Sequence, residues 1–497
     1  MDIDEFRKKG KEVVDDICDY YASLDQIPPM SQVEPGYLYK LIPHKAPTEP
    51  ETFDEVKRDF QTKIMPGITH WQSGNFFAWF PSSGSFPSII GDMYSNMLNI
   101  VGFNWICSPA VTELETIMTD WLGKLLGLEK QFLSIQNDGS EGQGGGSIQG
   151  SASEAIVVAM IAAREKKLAE LPKACPELTQ DDIDAIRPKL VAYYSDQTHS
   201  SGQKGANIIG CKTHMIPSDD NFRLTSDALH EAIAADKQKG LVPFFVCGSF
   251  GTTNTAAIDD LPGIAEVAKK ERLWYHVDCG TTSMPHTLFR PLAAGIEFAD
   301  SFDFNTHKWM LISFECSVMW VSDSTHLVNA LSIEREYLPR VKGDKSFVKD
   351  YRNWRLPLGR RFCALKLWFM MRMYGVSGIQ ANIRQHVKEA KWLEEQLLAD
   401  GRFEIMAPVH FGLVVFRIKP SAVNNNPAVS VKECVVNKAN IDLVKAIHKD
   451  NRVFLVGTMI KGKNVLRAAI GSTLGTHRNT ELLLEVVQQL TTRILED

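Results

Sequence analysis

Apolar residues near the start of the chain recur at the spacing of a helix. Val13, Val14, Ile17, Tyr20, Tyr21 and Leu24 share one stripe and predict an amphipathic helix. The segment that follows is interrupted by Pro28, Pro29, Pro35, Pro43, Pro47 and Pro50, so it is not one continuous helix. We predict that residues 1–85 form an N-terminal helical arm. Such an arm is either a dimerisation element or a simple cap.

Short apolar runs then alternate with helical patterns. The predicted strands are Leu190–Tyr194, Phe244–Gly248, Leu273–Val277 and Ser317–Val321. The predicted helices between them are Ser226–Lys239, with Ser226 as its N-cap, and Leu261–Lys270. This alternation predicts a mainly parallel sheet in a large α/β domain, residues 86–375. Ligands of such sheets bind beyond the carboxyl ends of the strands.

The pattern changes after a helical stretch around Leu365–Tyr374. We predict a smaller C-terminal α/β domain, residues 376–497. Its predicted parts are strands at Gly412–Ile418, Arg452–Val456 and Val465–Ile470, a surface loop at Pro420–Val429 and a closing helix over Thr480–Leu495.

Composition narrows the class of protein. The 497 residues are 44% hydrophobic and 23% charged, which is ordinary globular usage. A net charge of −6 offers no broad basic face, which disfavours nucleic acid as a partner. There is no apolar run of membrane-spanning length and no secretory h-region at the start. The nine cysteines lack CxxC spacing and suggest reduced thiols. We therefore expect a cytoplasmic protein without a membrane partner.

A glycine-rich segment, residues 137–155, is the first candidate for chemistry. Ser151 and Ser153 stand where a helix is predicted to begin, and a helix N-terminus with hydroxyls suits a phosphate. The segment has no GK[ST], and Ser147 breaks the GxGxxG pattern that a dinucleotide-binding dehydrogenase would carry. A flexible connector is the alternative interpretation.

Three further residues follow or accompany apolar strands. Asp278, in LWYHVDC, needs a cationic partner, either a protein side chain in a structural salt bridge or a protonated cofactor ring. Lys308, in FDFNTHKWM, has apolar neighbours that can lower a lysine pKa enough for imine formation, although most lysines are surface charges. His199, in YYSDQTHSS, is alternatively an ordinary polar residue. Together the four features are those that pyridoxal 5′-phosphate (PLP) requires.

The chain resembles the group II PLP-dependent decarboxylases, specifically the aromatic L-amino acid decarboxylases, from about residue 1 to 490. The resemblance rests on stretches such as VEPGYL, IMPGITHWQSGNFFAWFPSS, SPAVTELETIMTDWLGK, IQGSASEA, SDQTHSS, FADSFDFNTHKW and DYRNWRLPLGRRF. It implies the fold-type I transferase architecture and a homodimer with sites at the subunit interface. The implied reaction is decarboxylation of tryptophan, phenylalanine, tyrosine or a related amino acid to an arylalkylamine.

The resemblance also implies roles for individual residues. Lys308 would attach the cofactor, Asp278 would hold the proton on its ring nitrogen, and His199 would stack on the ring. The expected phosphate ligands are Ser151, Ala152, Ser153 and Asn305, and Thr253 and His307 would line the site. The expected substrate pocket consists of Trp71, Trp79, Phe80, Pro81 and Gly359, with Val101 and Phe103 from the partner. Tyr337 would reach the neighbouring subunit's site as a proton donor.

Several positions depart from the family pattern. The usual HVDAAYAG reads HVDCGTTSMPHT here, Thr306 replaces a proline, and Trp79 replaces a tyrosine. Gly359 stands where, in related enzymes, glycine leaves room for an indole and serine favours a phenol. These departures leave the preferred substrate open.

Two competing functions differ at specific residues. Aromatic acetaldehyde synthases share the fold but carry phenylalanine at the loop tyrosine in plants, or asparagine at the stacking histidine in insects. This chain keeps Tyr337 and His199, which favours decarboxylation. A homologue that had become a mere binding protein would be expected to lose Lys308 or Asp278, and both are present.

Overall fold

The computed structural model describes residues 1–279, 289–332, 349–423 and 431–496. Two compact units make up the chain: a first unit of Met1–Pro81, Lys388–Met406 and Gly412–Asp497, and a second unit of Ser82–Val387 and Ala407–Phe411. The division into domains 1–85, 86–375 and 376–497 stays a prediction. No helix of the described ranges is long and apolar enough to cross a membrane.

The helices and strands are numbered in chain order. The helices are α1 (Ile3–Ser23), α2 (Tyr37–Leu41), α3 (Phe53–Asp59), α4 (Phe86–Leu98), α5 (Pro109–Leu126), α6 (Ala152–Ala174), α7 (Gln180–Ile186), α8 (Ser201–Ile209), α9 (Ser226–Gln238), α10 (Leu261–Glu271), α11 (Thr306–Trp309), α12 (Thr325–Leu331), α13 (Ala364–Asp400), α14 (Pro420–Val423), α15 (Glu433–Asp450) and α16 (His477–Glu496). The strands are β1 (Gly145–Gln149), β2 (Leu190–Ser195), β3 (Lys212–Ile216), β4 (Val242–Ser249), β5 (Trp274–Cys279), β6 (Ser301–Phe304), β7 (Ser317–Val321), β8 (Phe403–Ile405), β9 (Leu413–Ile418), β10 (Val456–Ile460) and β11 (Lys463–Ala469).

The second unit is built on a seven-stranded sheet in the order β1-β7-β6-β5-β4-β2-β3. Strands β3, β2, β4, β5 and β6 are parallel, whereas β7 pairs antiparallel with both β6 and β1. The predicted mainly parallel sheet is therefore confirmed. The four predicted strands all occur, and Ser317–Val321 has the predicted bounds.

Helix α6 supplies much of the core against this sheet. Its residues Ala155–Met160 are all buried, and all of them except Val157 pack in one cluster with β2, β4 and β7 side chains such as Ala192, Phe245 and Met319. Because nearly every face of its first turns is apolar, the helix is an internal one.

Helix α9 corrects one predicted cap. Thr225, not Ser226, is the N-cap: its backbone is extended and its hydroxyl accepts a hydrogen bond from Ala228 N at 3.4 Å. Ser226 is already the first helical residue, so its own hydroxyl is one position too late to cap.

The first unit contains an antiparallel sheet in the order β10-β11-β9-β8. The predicted strand Arg452–Val456 is wrong, since the strand is Val456–Ile460. Phe454 makes only an isolated bridge to Phe76, which leaves the residues before Val456 without a continuous ladder. The predicted loop at 420–429 begins as the short helix α14, and its residues 424–429 lie outside the described residues.

Candidate active site

A cavity of about 140 Å³ opens where parallel strands of the second unit end. The residues that line it are Ser151, Ala152, Ser153, His199, Ser201, Ser249, Gly251, Thr252, Thr253, Asp278, Asn305, His307 and Lys308. All the residues predicted to bind the cofactor are among them. They converge because β2, β4, β5 and β6 are parallel, so the segments that follow them meet at one edge of the sheet.

A larger groove of about 830 Å³ lies along α6 and α10. Its lining includes exposed charged side chains such as Lys173 and Glu266. We place the site in the smaller cavity, because that is where hydroxyls, a carboxylate, an imidazole and a lysine come together.

One end of the cavity is formed by the start of α6. Ser151 is the N-cap, and its hydroxyl accepts from Glu154 N at 3.3 Å. Asn305 Oδ1 accepts from Ala152 N at 3.2 Å, which joins the segment after β6 to the first turn of α6. Because the helix dipole and the hydroxyls favour negative charge, this end suits a phosphate.

The glycines before α6 do not form the phosphate-binding loop that the sequence suggested. Gly145 and Gly146 belong to β1, and the tract Gly142–Gly146 is not among the residues that line the cavity. A Cβ on Gly146 would stand 2.6 Å from Thr119 Cβ, and one on Gly144 would stand 2.1 Å from Gln131 O. Close packing, rather than phosphate binding, requires these glycines.

Asp278 and Lys308 reach the cavity from neighbouring elements. Asp278 is the fifth residue of β5, with Ser249 of β4 and Asp303 of β6 as its register partners. Lys308 lies on the single-turn helix α11, between the buried side chains of His307 and Trp309. Helix α11 begins directly after Asn305, at the end of β6, so Lys308 lies at the end of the sheet where Asp278 stands.

His199 follows β2 and is held by the start of α8. Ser201 N donates to His199 Nδ1 at 3.2 Å, and Ser201 Oγ lies 2.9 Å from the same nitrogen. Nδ1 is therefore the acceptor, and the neutral ring carries its proton on Nε2. Burial lowers the pKa of His199, opposed by the charge of Asp278 and assisted by that of Lys308.

His307 is also kept neutral. Burial lowers its pKa to about 4. Its Nδ1 lies 2.6 Å from Cys316 O and 3.1 Å from Cys316 N, and a carbonyl oxygen only accepts, so the closer contact places the proton on Nδ1. Thr306, which replaces a family proline, donates its hydroxyl to the same Cys316 carbonyl at 3.0 Å.

The expected substrate residues fall into two groups. In the second unit, Gly102 N donates to Arg360 O at 3.0 Å, and Val101 lies beside Gly359. Phe103 belongs to the same segment, and its carbonyl oxygen accepts from Arg352 N at 3.1 Å. Trp71, Trp79, Phe80 and Pro81 belong to the first unit. There the rings of Trp71 and Trp79 stack with centroids 5.3 Å apart, and Arg467 lies 5.7 Å from the Phe80 ring.

Sequence reasoning missed four lining residues, namely Ser201, Ser249, Gly251 and Thr252. Ser201 stands two residues after His199, Ser249 is the last residue of β4, and Gly251 and Thr252 follow that strand. The rule that ligands bind at and beyond strand ends was therefore enough to find them. Tyr337 lies outside the described residues.

Comparison with known proteins shows the family of this chain. The pyridoxal-dependent decarboxylase conserved domain matches residues 35–419. The aromatic-L-amino-acid decarboxylase of Rattus norvegicus is 44% identical over 497 residues, covering 100% of this chain and 99% of that protein. The phenylacetaldehyde synthase of Arabidopsis thaliana is 42% identical, covering 98% and 96%.

Solved structures of decarboxylases are similar to this chain over almost its whole length. The crystal structure of Oryza sativa TDC with PLP and tryptamine has a TM-score of 0.93 and 35% identity, covering 100% of this chain and 99% of that chain. The tryptophan decarboxylase of Catharanthus roseus, solved in complex with L-tryptophan, has a TM-score of 0.90 and 38% identity, covering 99% of each. This chain belongs to the pyridoxal-dependent decarboxylase family, enzymes that act with pyridoxal 5′-phosphate.

Proposed function

We propose that this enzyme decarboxylates aromatic L-amino acids to arylalkylamines and CO2. The observation that carries the proposal is the cavity that gathers Lys308, Asp278, His199 and the start of α6. The relatives named as aromatic-amino-acid decarboxylases support the substrate class. In the reaction the carboxylate leaves as CO2, and one proton is taken up at Cα in its place.

The donor set of the cavity fits PLP. Ser151, Ala152, Ser153 and Asn305 would hold the phosphate, and Thr253 and His307 would flank the cofactor. Lys308 would supply the amine that attaches it. When bound, PLP supplies a conjugated ring that accepts the electron pair left by CO2.

Asp278 and His199 would then control charge around the ring. The Asp278 carboxylate would accept a hydrogen bond from the protonated ring nitrogen and keep the proton there, since a protonated ring takes up electrons more readily than a neutral one. His199, neutral and fixed by Ser201, would lie flat on the ring with Nε2–H available to the substrate carboxylate.

Aromatic side chains support the proposed substrate class. Trp71 and Trp79 present a stacked pair of indoles in the first unit, with 38% and 44% of their surfaces exposed. Val101, Phe103 and Gly359 add apolar surface in the second unit. Aromatic rings bind flat hydrophobic substrates well.

Exposed apolar helix faces support a homodimer. Helix α1 has no buried residue and exposes Ile3 and Phe6, and α4 exposes Met93, Tyr94 and Met97. Patches of this kind usually mark interfaces. Val101, Phe103 and Tyr337 of the partner subunit would then complete each site, together with the partner's Gly359, because Gly359 lies next to Val101 of the same chain. The purified protein should have twice the mass of one chain.

The cysteines support a cytoplasmic location. All nine are free thiols, and Cys247, Cys279 and Cys316 are buried. A chain without disulfides suits a reducing compartment.

A panel of all twenty L-amino acids, with CO2 and amine quantified, tests the proposed substrate class. We expect turnover of tryptophan, phenylalanine or tyrosine. Preference for glutamate or histidine would contradict the aromatic assignment. Aldehyde with hydrogen peroxide in place of amine would identify the enzyme as an acetaldehyde synthase.

A further inference from the structure

A second carboxyl lies directly beside Asp278 in the sheet. Asp303 of β6 is the register partner of Asp278 of β5, so the two side chains leave the same face of adjacent parallel strands. The Asp303 side chain is 1% exposed. None of the roles derived above uses it.

Asp303 is hydrogen-bonded to a histidine. His276 Nε2 lies 3.1 Å from Asp303 Oδ1, and His276 Nδ1 lies 2.8 Å from Ser301 Oγ. The Ser301 hydroxyl accepts a hydrogen bond from Trp274 Nε1 at 2.7 Å. Within the part of the chain that the structure describes, Asp303 Oδ2 is buried and has no hydrogen-bond partner. A fully ionised carboxylate there would leave negative charge on an uncompensated oxygen.

The groups around Asp303 place its ionisation near neutral pH. Burial, and next the charge of Asp278, raise its pKa to about 7, whereas His276 and Lys308 act in the opposite direction. On β4, the buried thiol of Cys247 also faces Asp278 and Asp303 and has a raised pKa. On β7 the register partner of Asp303 is the apolar Met319. Two carboxylates so placed resist being ionised together.

We propose that Asp303 is a positioning residue for Asp278: by gaining or losing its proton beside His276, it sets how strongly the Asp278 carboxylate holds the proton on the cofactor ring nitrogen. The inference rests on the proposed place of PLP in the cavity. With Asp303 protonated, Asp278 carries the negative charge alone. With Asp303 ionised, the added negative charge stabilises the protonated ring.

The Asp303→Asn variant tests this inference, because asparagine has the shape of the neutral acid but cannot ionise. We would measure the dissociation constant of PLP for wild type and variant from about pH 6 to about pH 8, and the ¹⁵N shift of ring-labelled PLP bound to each. The two proteins should behave alike at the acid end. At the alkaline end wild type should bind PLP roughly tenfold more tightly and keep its ring nitrogen more fully protonated, since one pKa unit is a factor of ten.

The wild-type protein alone provides a second measurement should the variant fail to fold. Its ring ¹⁵N shift should change with a midpoint near the Asp303 pKa of about 7. A flat wild-type profile, or equal affinities of wild type and variant at every pH, would overturn the role of Asp303 while leaving the cofactor site intact. Failure of wild type to bind PLP at all would instead contradict the cofactor site, and this inference with it.

Discussion

Gly359 and Val101 are neighbours, with room for a small side chain between them. A Cβ on Gly359 would stand 3.6 Å from Val101 Cγ1, an ordinary contact, and would meet no other heavy atom of the described residues within 4 Å. Serine therefore fits at this position without disturbing the second unit.

We predict that Gly359→Ser shifts preference from tryptophan toward tyrosine. The added group takes space that an indole needs and offers a hydroxyl to a phenol. A change of this size in a pocket is worth about 10–200-fold in kcat/KM. The ratio of kcat/KM for the two substrates measures it. Gly378→Ser, whose Cβ would meet only Tyr374 among described neighbours, is the control and should leave the ratio unchanged.

Glu115 and Arg360 form a buried ion pair next to the same segment. Both side chains are 2% exposed, Glu115 also accepts from Ile148 N at 2.8 Å, and Arg360 lies over the Tyr351 ring. Glu115→Ala leaves the guanidinium buried without its partner, which should cost about 3–5 kcal/mol of unfolding free energy.

Chemical denaturation of Glu115→Ala and of Asp442→Ala compares the loss of a buried ion pair with the loss of a surface ion pair. Asp442 pairs with Lys438, which is 78% exposed, so its loss should cost less than about 1 kcal/mol. Equal losses of unfolding free energy in the two variants would show that the Glu115–Arg360 pair contributes no more to stability than a surface pair.

His307 should make stability depend on pH. The folded protein keeps the ring neutral down to a pKa of about 4, whereas the unfolded chain protonates it near 6.5. As the pH falls between these values, the unfolded state binds a proton that the folded state does not, so stability declines by up to about 3 kcal/mol. In thermal unfolding of the apoenzyme, the Tm of His307→Gln should fall less steeply with decreasing pH than the Tm of wild type. The exposed His230→Gln should follow wild type.

Tyr337→Phe should divert the product from amine to aldehyde. The phenol is the proposed donor of the proton at Cα, and a positioned donor contributes about 10²–10⁴-fold. Without this donor, Cα stays unprotonated after CO2 has left for long enough to react with O2. The amino acid, O2 and water then yield aldehyde, CO2, ammonia and hydrogen peroxide. Amine at the wild-type rate without peroxide would exclude Tyr337 as the donor and point to His199.

The strands with apolar sequences, and the site residues at the ends of strands, could be predicted from the sequence. Strands β2, β4, β5 and β7 contain mostly apolar residues. Asp278 lies near the end of β5, and His199 and Lys308 follow β2 and β6, so their meeting could be foreseen. Strand β1 was missed because GGSIQ has the composition of a loop. Its Gly146 is required by the close approach of Thr119, which is distant in sequence.

Other features depend on contacts that no local pattern reveals. The carboxyl of Asp303 matters because β5 and β6 pair in a register that sets it beside Asp278. Likewise, the short strand β6 contains that acid between phenylalanines and gives only a weak strand signal. Register is a property of the assembled sheet, and a single sequence does not display it.

The central claim is that PLP is bound in this cavity through Lys308, and borohydride trapping tests it most directly. The purified protein would be incubated with PLP, reduced and digested, and the pyridoxyl group located by mass spectrometry. Lys308→Ala should lose the label together with amine formation, whereas Lys166→Ala, in the groove along α6 and α10, should keep both. We predict a single modified peptide carrying the group on Lys308. Specific labelling of another lysine, or a fully active Lys308→Ala variant, would contradict the account.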